Sequence, residues 1–286
     1  MREYLNADTL FNTIAMLRSG TNGLILVVEG TDDRHVIERH VHDSVVILCG
    51  QGGKRELLEA AVSVDKRLIA NVRIIVDRDY DDEITQPQPY ADCIVPSSNH
   101  DLIMDLVLAD RPVMHRVIGA HIRGTTASSP SLADQLISEA FLVAAKVSML
   151  RMLSVENGWE LTMAGFPFGR FEEMRPNAEN VVRLALGRSK PGPKRTPVLR
   201  TLRSALKRSP ESLVKLVGDH DFFGALAYIL RNRGMAVVKE TVLATSFFAA
   251  VDCPSMMKTD WHAEITTWSR DNANLPSFTC PCDYAA

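Results

Sequence analysis

The sequence predicts an α/β fold, a parallel β-sheet flanked by helices, followed by a mostly helical C-terminal region. Over the first hundred residues, short apolar runs rich in branched side chains alternate with amphipathic helix patterns. Such alternation is typical of parallel strands joined by helical crossovers. After about residue 110 the strand patterns end and helical periodicity continues. We therefore expect two domains, an α/β domain at 1–110 and a mostly helical domain at 111–286.

The first domain contains four predicted strands separated by helices. Residues 24–28 form a continuous apolar run, as expected of a strand that is covered on both faces. Thr31 or Asp32 can cap the helix that follows it. The predicted helices cover 7–18, 31–42 and 54–64, and the predicted strands cover 24–28, 45–48, 72–76 and 93–95.

The second domain reads as a series of helices. A segment at 159–171 is aromatic and contains glycines, which favours a hairpin or a loop, and a segment at 189–197 holds three prolines and a glycine, which favours a loop. The predicted helices cover 131–153, 178–186, 198–206, 211–217, 222–232, 240–250 and 255–268.

Composition is that of a globular protein, with 46% apolar and 23% charged residues. No stretch approaches the ~18 apolar residues that a membrane span needs. The first 18 residues are amphipathic and carry acidic side chains, unlike a signal peptide. We expect a cytoplasmic protein with no membrane contact.

Five cysteines are present, and their odd number and spacing do not suggest a disulfide framework. We expect reduced thiols. Cys280 and Cys282, with Cys253 and His262 upstream, suggest a zinc site, but zinc sites usually carry a CxxC pair rather than CxC. Small buried side chains near the C-terminus are therefore the favoured interpretation.

Charge is unevenly distributed although the net charge is only −3. Residues 181–210 contain nine basic side chains and no acidic one, whereas residues 77–83 contain five carboxylates. The basic tract suits a phosphate backbone; an acidic protein partner or a solvated face are the alternatives. The predicted substrate-binding residues are Lys54, which begins a helix after two glycines, and Arg188, Lys190, Lys194 and Arg195.

Three carboxylates follow predicted strands directly or nearly so. Glu29 follows the first strand, Asp77 follows the third, and Asp79 comes two residues later. Carboxyl ends of parallel strands share one edge of a sheet, so these side chains meet there if the first and third strands are neighbours. Carboxylates are hard ligands suited to Mg²⁺ or Mn²⁺, and Asp33, in the helix that follows Glu29, is expected to support them. Alone, a DxD pair also fits a sugar transferase, a phosphatase or a solvated loop.

Together these motifs resemble the TOPRIM domain of topoisomerases, primases and overcoming-lysogenization-defect nucleases. A strand ending in EGxxD is followed about 45 residues later by a strand ending in DxD, matching at Glu29, Gly30, Asp33, Asp77 and Asp79. The resemblance implies a TOPRIM-like sheet, aspartates that bind Mg²⁺, and a glutamate that is a ligand or the acid/base residue. It therefore implies a metal-dependent endonuclease.

A narrower resemblance covers the first hundred residues. The strings VEGTDDRHVI, GQGGK and IIVDRDYDD are similar to TOPRIM effectors encoded beside an ABC-type ATPase in anti-phage systems such as PARIS. This implies a toxic effector that cuts nucleic acid, either tRNA or DNA, under the control of an ATPase partner. It is also compatible with a homodimer on activation.

Two short elements extend this resemblance loosely. His100-Asp101-Leu102 matches a His-Asp-Leu element after the fourth strand, but Ile103 stands where relatives often have glutamate. Asp101 either approaches the metal edge or caps the next helix. In 218–221 an extra aspartate separates the glycine from the histidine, and His220 and Asp221 are expected to cap the helix at 222–232.

Other functions remain open. A catalytically silent module that binds nucleic acid or the ATPase is the main alternative. A DxD phosphatase is less favoured, because Asp77 follows the third strand and Asp81 stands where such enzymes have Thr or Val. A topoisomerase would need an active tyrosine in a second large domain, and none is identifiable.

Overall fold

The structure is a computed structural model that describes residues 7–84, 89–122, 129–173, 175–189 and 192–279. In chain order its elements are α1 (Ala7–Gly20), β1 (Ile25–Val28), α2 (Thr31–Ile37), β2 (Val46–Cys49), α3 (Lys54–Lys66), β3 (Val72–Val76), α4 (Asp81–Ile84), β4 (Ile94–Pro96), α5 (Leu102–Ala109), α6 (Arg111–His121), α7 (Pro130–Glu156), a 3-10 turn (Phe168–Arg170), α8 (Ala178–Arg188), α9 (Arg195–Ala205), α10 (Pro210–Lys215), α11 (Asp219–Asn232), α12 (Glu240–Ala250), α13 (Cys253–Met256), α14 (Asp260–Trp268) and a π-helical turn (Ser269–Ala273).

The four strands form one parallel sheet in the order β2-β1-β3-β4. Ile25 of β1 pairs with Val46 on one side and with Val72 on the other, and Ile74 of β3 pairs with Ile94. The predicted α/β class with a parallel, helix-flanked sheet is confirmed. β1 and β3 are direct neighbours, as the carboxylate argument required.

Both faces of the sheet are covered. On one face, Ile25 of β1 and Ile74 of β3 share a core with Ile14 of α1 and Leu57 of α3. The residues that alternate with these, such as Leu26, are also fully buried. Continuous apolar runs are typical of strands in such doubly covered sheets, which explains why the strand positions were predictable within one residue.

The described residues divide into two compact units. The first is drawn from 1–78, 87–110 and 251–286, and the second from 79–86 and 111–250. This differs from the predicted division, which assigned all of 111–286 to one domain. The C-terminal segment belongs to the first unit because Val41 forms an antiparallel bridge with Phe278, and Lys258 forms an ion pair with Asp110 at 2.9 Å.

The second unit is helical. Its longest helix, α7, begins after Ser129, whose hydroxyl accepts a hydrogen bond from the Leu132 amide at 3.2 Å. Phe141 of α7 packs against Phe222 of α11 with ring centroids 4.8 Å apart. The segment at 159–171 forms a loop with a 3-10 turn, not a hairpin.

Two predicted helices were wrong in their extent, and one helix was missed. The helix at 31–42 ends at Ile37, because the chain beyond it turns to pair with 277–279. The helix at 255–268 is two helices, α13 and α14, with Thr259 at the N-cap position of the second. Helix α6 was not predicted. Within the described ranges, no helix combines the length and the apolar character that a bilayer crossing requires.

Candidate functional site

Glu29 and Asp77 extend from adjacent strands at the carboxyl edge of the sheet in the first unit. Ile25 pairs with Val72, an offset of 47 residues, so continuing that register pairs Glu29 with Val76, the residue before Asp77. Because the strands are parallel, both carboxyl groups leave the sheet at the same edge. The two strand ends that the sequence predicted to share one edge of the sheet are therefore direct neighbours.

Asp77 is in a strongly anionic environment. Burial raises the pKa of its carboxyl group well above the usual range, and the charges of Asp101, Asp33 and Glu29 raise it further. One hydrogen bond lowers the pKa of Asp77, because the Leu102 amide donates to Asp77 Oδ1 at 3.1 Å. We call Glu29, Asp33, Asp77 and Asp101 the carboxylate cluster.

Asp33 and Asp101 enter the cluster from the starts of two helices. Asp33, which is buried, accepts a hydrogen bond from the Gly30 amide at 2.8 Å and so closes the first turn of α2. Asp101, also buried, caps α5 by accepting from the Met104 amide at 2.7 Å. Helix N-termini favour negative charge, which partly offsets the repulsion between these groups.

Asp101 therefore has both roles that the sequence left open. Its side chain caps α5, and it is the charged neighbour with the largest effect on the pKa of Asp77. His100 Nδ1 lies 3.2 Å from Asp101 Oδ2. Ile103, which follows this element directly, is buried and contributes to the core.

Asp105 was not identified from the sequence, although it fixes the loop that carries Asp101. Its buried carboxylate accepts hydrogen bonds from the Ser98 amide at 2.8 Å and from the Asn99 amide and side chain, each at 2.7 Å. Burial raises the pKa of Asp105 to about 6, despite these donors. The only sequence signal is an aspartate in the first turn of a strongly apolar helix.

The carboxylate cluster contains the hard oxygen donors that divalent cations prefer, but it has no preformed metal geometry. No group of three or more His, Cys, Asp or Glu side chains is arranged to hold a metal ion in the part of the chain that the structure describes. Mg²⁺ usually takes only one or two carboxylates and fills its remaining positions with water and substrate oxygens. Such a cation would bind the hard oxygen donors of the carboxylate cluster. It would also relieve the repulsion that raises the pKa of Asp77.

Asp79 follows Asp77 by two residues and begins the second unit. It has a positive φ of 52°, a left-handed conformation that aspartate tolerates better than most residues. Between the two aspartates, Arg78 is tied to the end of β4: its Nε donates to the Ser97 carbonyl at 2.8 Å, and its amide donates to Ser97 Oγ at 2.9 Å.

Lys54 lies near the end of β3, because its Nζ donates to the Arg78 carbonyl at 3.0 Å. The glycine loop before it does not present open amides to a phosphate. Glu56 accepts hydrogen bonds from the amides of Gln51, at 2.8 Å, and Gly52. The Glu56 carboxylate thus already occupies this turn, and Lys54 alone remains as the predicted phosphate contact there.

Part of the basic tract forms an exposed face of α9, in the second unit. A depression of about 680 Å³ on this face is lined mainly by Arg195, Arg200, Arg203 and Lys207. Glu179 pairs with Arg195 and Arg203. Arg200 and Lys207 are exposed, and neither has a carboxylate partner among the described residues.

The other predicted basic contacts differ in their surroundings. Arg188 donates to the carbonyl groups of Ala164 at 2.8 Å and Gly165 at 3.0 Å, so it holds a neighbouring loop. Lys194 is exposed directly before α9. Lys190 lies outside the described residues.

The prediction that His220 and Asp221 cap α11 was wrong. Gly218 occupies the N-cap position, and Asp221 turns into the helical core of the second unit. Its carboxylate accepts hydrogen bonds from Ser148 Oγ at 2.8 Å and from Arg151 Nη2 at 2.7 Å. This half-buried arginine partner cannot be inferred from local sequence, because it lies 70 residues earlier in the chain, on another helix.

Comparison of the chain with models of protein families and with curated proteins finds no match.

Proposed function

We propose that this protein is a Mg²⁺-dependent endonuclease with a TOPRIM-like site. The observation that carries the proposal is the crowding of Glu29, Asp33 and Asp101 around Asp77 at the carboxyl edge of a parallel sheet. Ligand sites of such sheets lie at this edge. Buried like charges are costly unless a cation or a proton offsets them, and strongly perturbed carboxyl groups cluster at functional sites.

Each acidic side chain has a distinct role in this proposal. Asp77 would hold Mg²⁺ or Mn²⁺, with Asp33 in support, and Glu29 would be a further ligand or would accept the proton of the attacking water. For Asp79, the role of metal ligand rests on the TOPRIM resemblance alone. When bound, the cation supplies charge neutralisation at the phosphate and a lower pKa for water. Asp101 fixes the start of α5, whose first amide orients Asp77.

The substrate in this proposal is a nucleic acid, either tRNA or DNA. The exposed basic face of α9 supports contact with a phosphate backbone, and it contains no aromatic side chain for base stacking. Lys54, beside the end of β3, is a second candidate phosphate contact. From the resemblance to anti-phage effectors we further propose an ABC-type ATPase partner that restrains the activity, and a homodimer on activation.

The nuclease proposal is tested with purified protein and labelled tRNA and DNA, each with Mg²⁺, Mn²⁺ or chelator, and with or without the partner ATPase. Cleavage should require the cation, and Glu29→Gln and Asp77→Asn should each reduce it at least about 100-fold, as is typical when a general base or its equivalent is removed. Asp32→Asn is the matched control, because this exposed carboxylate also lies in the first turn of α2. Intact substrate under every condition, or full activity of Asp77→Asn, would contradict the proposal.

A silent binding module is the second candidate, and one observation favours it. Asp77 and Asp101 both accept amide hydrogen bonds at the start of α5, so the cluster also has a structural role. In that case the wild type and Glu29→Gln should bind nucleic acid or the ATPase equally well and be equally toxic in cells. A loss of toxicity in Glu29→Gln with unchanged binding would exclude the silent module.

A further inference from the structure

The depression on the exposed face of α9 is lined by groups that bind anions. Its four cationic side chains share the lining with the hydroxyl groups of Thr196 and Ser204, and Leu199 is its apolar residue. Cationic side chains and hydroxyl groups commonly contact phosphate oxygens in protein–nucleic acid complexes. Among the described residues that line the depression, none is aromatic, so a base would find no ring to stack on. The depression therefore fits a phosphate backbone.

Two of these cationic side chains already hold a carboxylate. Glu179 Oε1 accepts a hydrogen bond from Arg195 Nη2, and Glu179 Oε2 accepts one from Arg203 Nη2 at 3.4 Å. The two arginines start about two turns apart on α9, which is about 12 Å along the helix axis. One carboxylate thus bridges two guanidinium groups from different turns of the helix, as a bound phosphate would.

The backbone of Glu179 does not depend on these arginines. Glu179 is in the first turn of α8, where the helix N-terminus favours negative charge. The N-cap residue, Asn177, accepts hydrogen bonds from the amides of Glu179 at 2.8 Å and Asn180 at 3.1 Å. The start of α8 is therefore capped without the Glu179 carboxylate, which can turn away from Arg195 and Arg203 while the helix stays in place.

The contacts of Glu179 are weak enough to exchange. The exposed fractions of the side chains of Glu179, Arg195 and Arg203 are 46%, 52% and 60%. An ion pair exposed in this way typically changes an equilibrium by less than about fivefold. Contacts between arginine and phosphate are charge-assisted and often bidentate, and a phosphate backbone also reaches Arg200 and Lys207 in the same depression. A polyanion therefore gains more from these charges than one carboxylate does.

We propose that Glu179 occupies the place of a backbone phosphate in the free protein and is displaced from Arg195 and Arg203 when nucleic acid binds. Glu179 is then a competitor that sets the affinity of the exposed face of α9 for its substrate. The inference rests on the nucleic-acid substrate of the proposed function, but it depends neither on the carboxylate cluster nor on cleavage.

Binding of labelled tRNA and labelled duplex DNA to the full-length protein tests the proposal. Chelator is present throughout, so that no metal-dependent cleavage occurs, and the affinity is measured at several salt concentrations. Glu179→Gln should bind both about three- to tenfold more tightly at low salt, because two exposed ion pairs no longer have to be broken. Its plot of log affinity against log salt should be steeper by about 0.7–0.9, because one competing charge is gone.

Glu211→Gln is the matched control. Glu211 is exposed and also lies in the first turn of a helix of the second unit, α10, but no arginine pairs with it among the described residues. Its substitution should change the affinity and the salt slope less than Glu179→Gln does. An equal gain in the two variants would reveal a general effect of net charge and would overturn the proposal.

The gain should also depend on the two arginines. In a protein that carries Arg195→Gln and Arg203→Gln, the further change Glu179→Gln should not tighten binding, because residues in contact have non-additive effects. If the wild type binds and Glu179→Gln binds equally or more weakly, the inference fails while the proposed function stands. If neither protein binds tRNA or DNA, the nucleic-acid substrate of the proposed function fails as well.

Discussion

Replacing Asp105 by asparagine should change how the stability of the protein depends on pH. The Asp105 carboxylate is buried and accepts hydrogen bonds from Ser98 and Asn99, yet burial raises its pKa to about 6 from an ordinary value of 3.8. The native state therefore binds this proton more tightly than the unfolded state does. Asparagine keeps the shape of the side chain and removes the titration.

The sign follows from proton linkage. Between pH 3.8 and about 6 the native state holds more protons than the unfolded state, so the contribution of Asp105 to stability falls as pH rises through this window. The difference of 2.2 pKa units, at 1.36 kcal/mol per unit, corresponds to about 3 kcal/mol. Below pH 3.8 the contribution of Asp105 to stability is fully present, and above about pH 6 it is lost completely.

Urea unfolding at half-unit steps between pH 4 and pH 7.5 measures this effect. The free energy of unfolding of Asp105→Asn should rise relative to that of the wild type by most of about 3 kcal/mol, and the difference should become constant above pH 7. Above pH 7 the difference in unfolding free energy between the two proteins also contains the cost of turning the asparagine amide, a donor, towards the Ser98 amide. Asp32→Asn, at an exposed site, controls for the removal of one carboxylate. Parallel profiles for the wild type and Asp105→Asn would refute the reasoning.

Three further outcomes follow from the described contacts. Asp221→Ala should destabilise the second unit by roughly 1.5–3 kcal/mol in urea unfolding, because it removes the carboxylate that accepts a hydrogen bond from the half-buried Arg151; a loss under 1 kcal/mol would contradict this. Gly23→Ala should cost about 1–3 kcal/mol in the same assay, since its new methyl group would lie 2.1 Å from the Ser44 carbonyl oxygen. Lys207→Ala should weaken binding to tRNA and DNA alike and reduce the salt slope by about 1, as titrations at several salt concentrations would show.

The positions of the strands and of two site residues were predictable because both depend on local sequence. A continuous apolar run predicts a strand buried on both faces, and Glu29 and Asp77 directly follow two such runs. The parallel arrangement then places both residues at one edge of the sheet. Apolar patterning and strand direction were enough to predict the shared edge, whereas the adjacency of β1 and β3 is known only from the structure.

Contacts between distant segments were not predictable, because periodicity shows which side of an element is buried but not what covers it. Asp221 looked like a helix cap, but its partner is Arg151 of another helix. The less favoured zinc interpretation of the sequence grouped His262 with Cys253, whereas in the structure the histidine in contact with that thiol is His40, 3.5 Å away. In both cases the deciding atom lies far away in the chain.

The energetics of the carboxylate cluster favour a charged ligand over a purely structural role. Holding a helix start needs only one capping carboxylate, and Asp101 already provides it for α5. Asp77 adds one amide hydrogen bond, while burial and three neighbouring carboxylates oppose its ionisation. A neutral asparagine at 77 could accept the same hydrogen bond without that electrostatic cost, so the fold alone does not account for an aspartate there. The cation or the reaction of the proposed function would account for it.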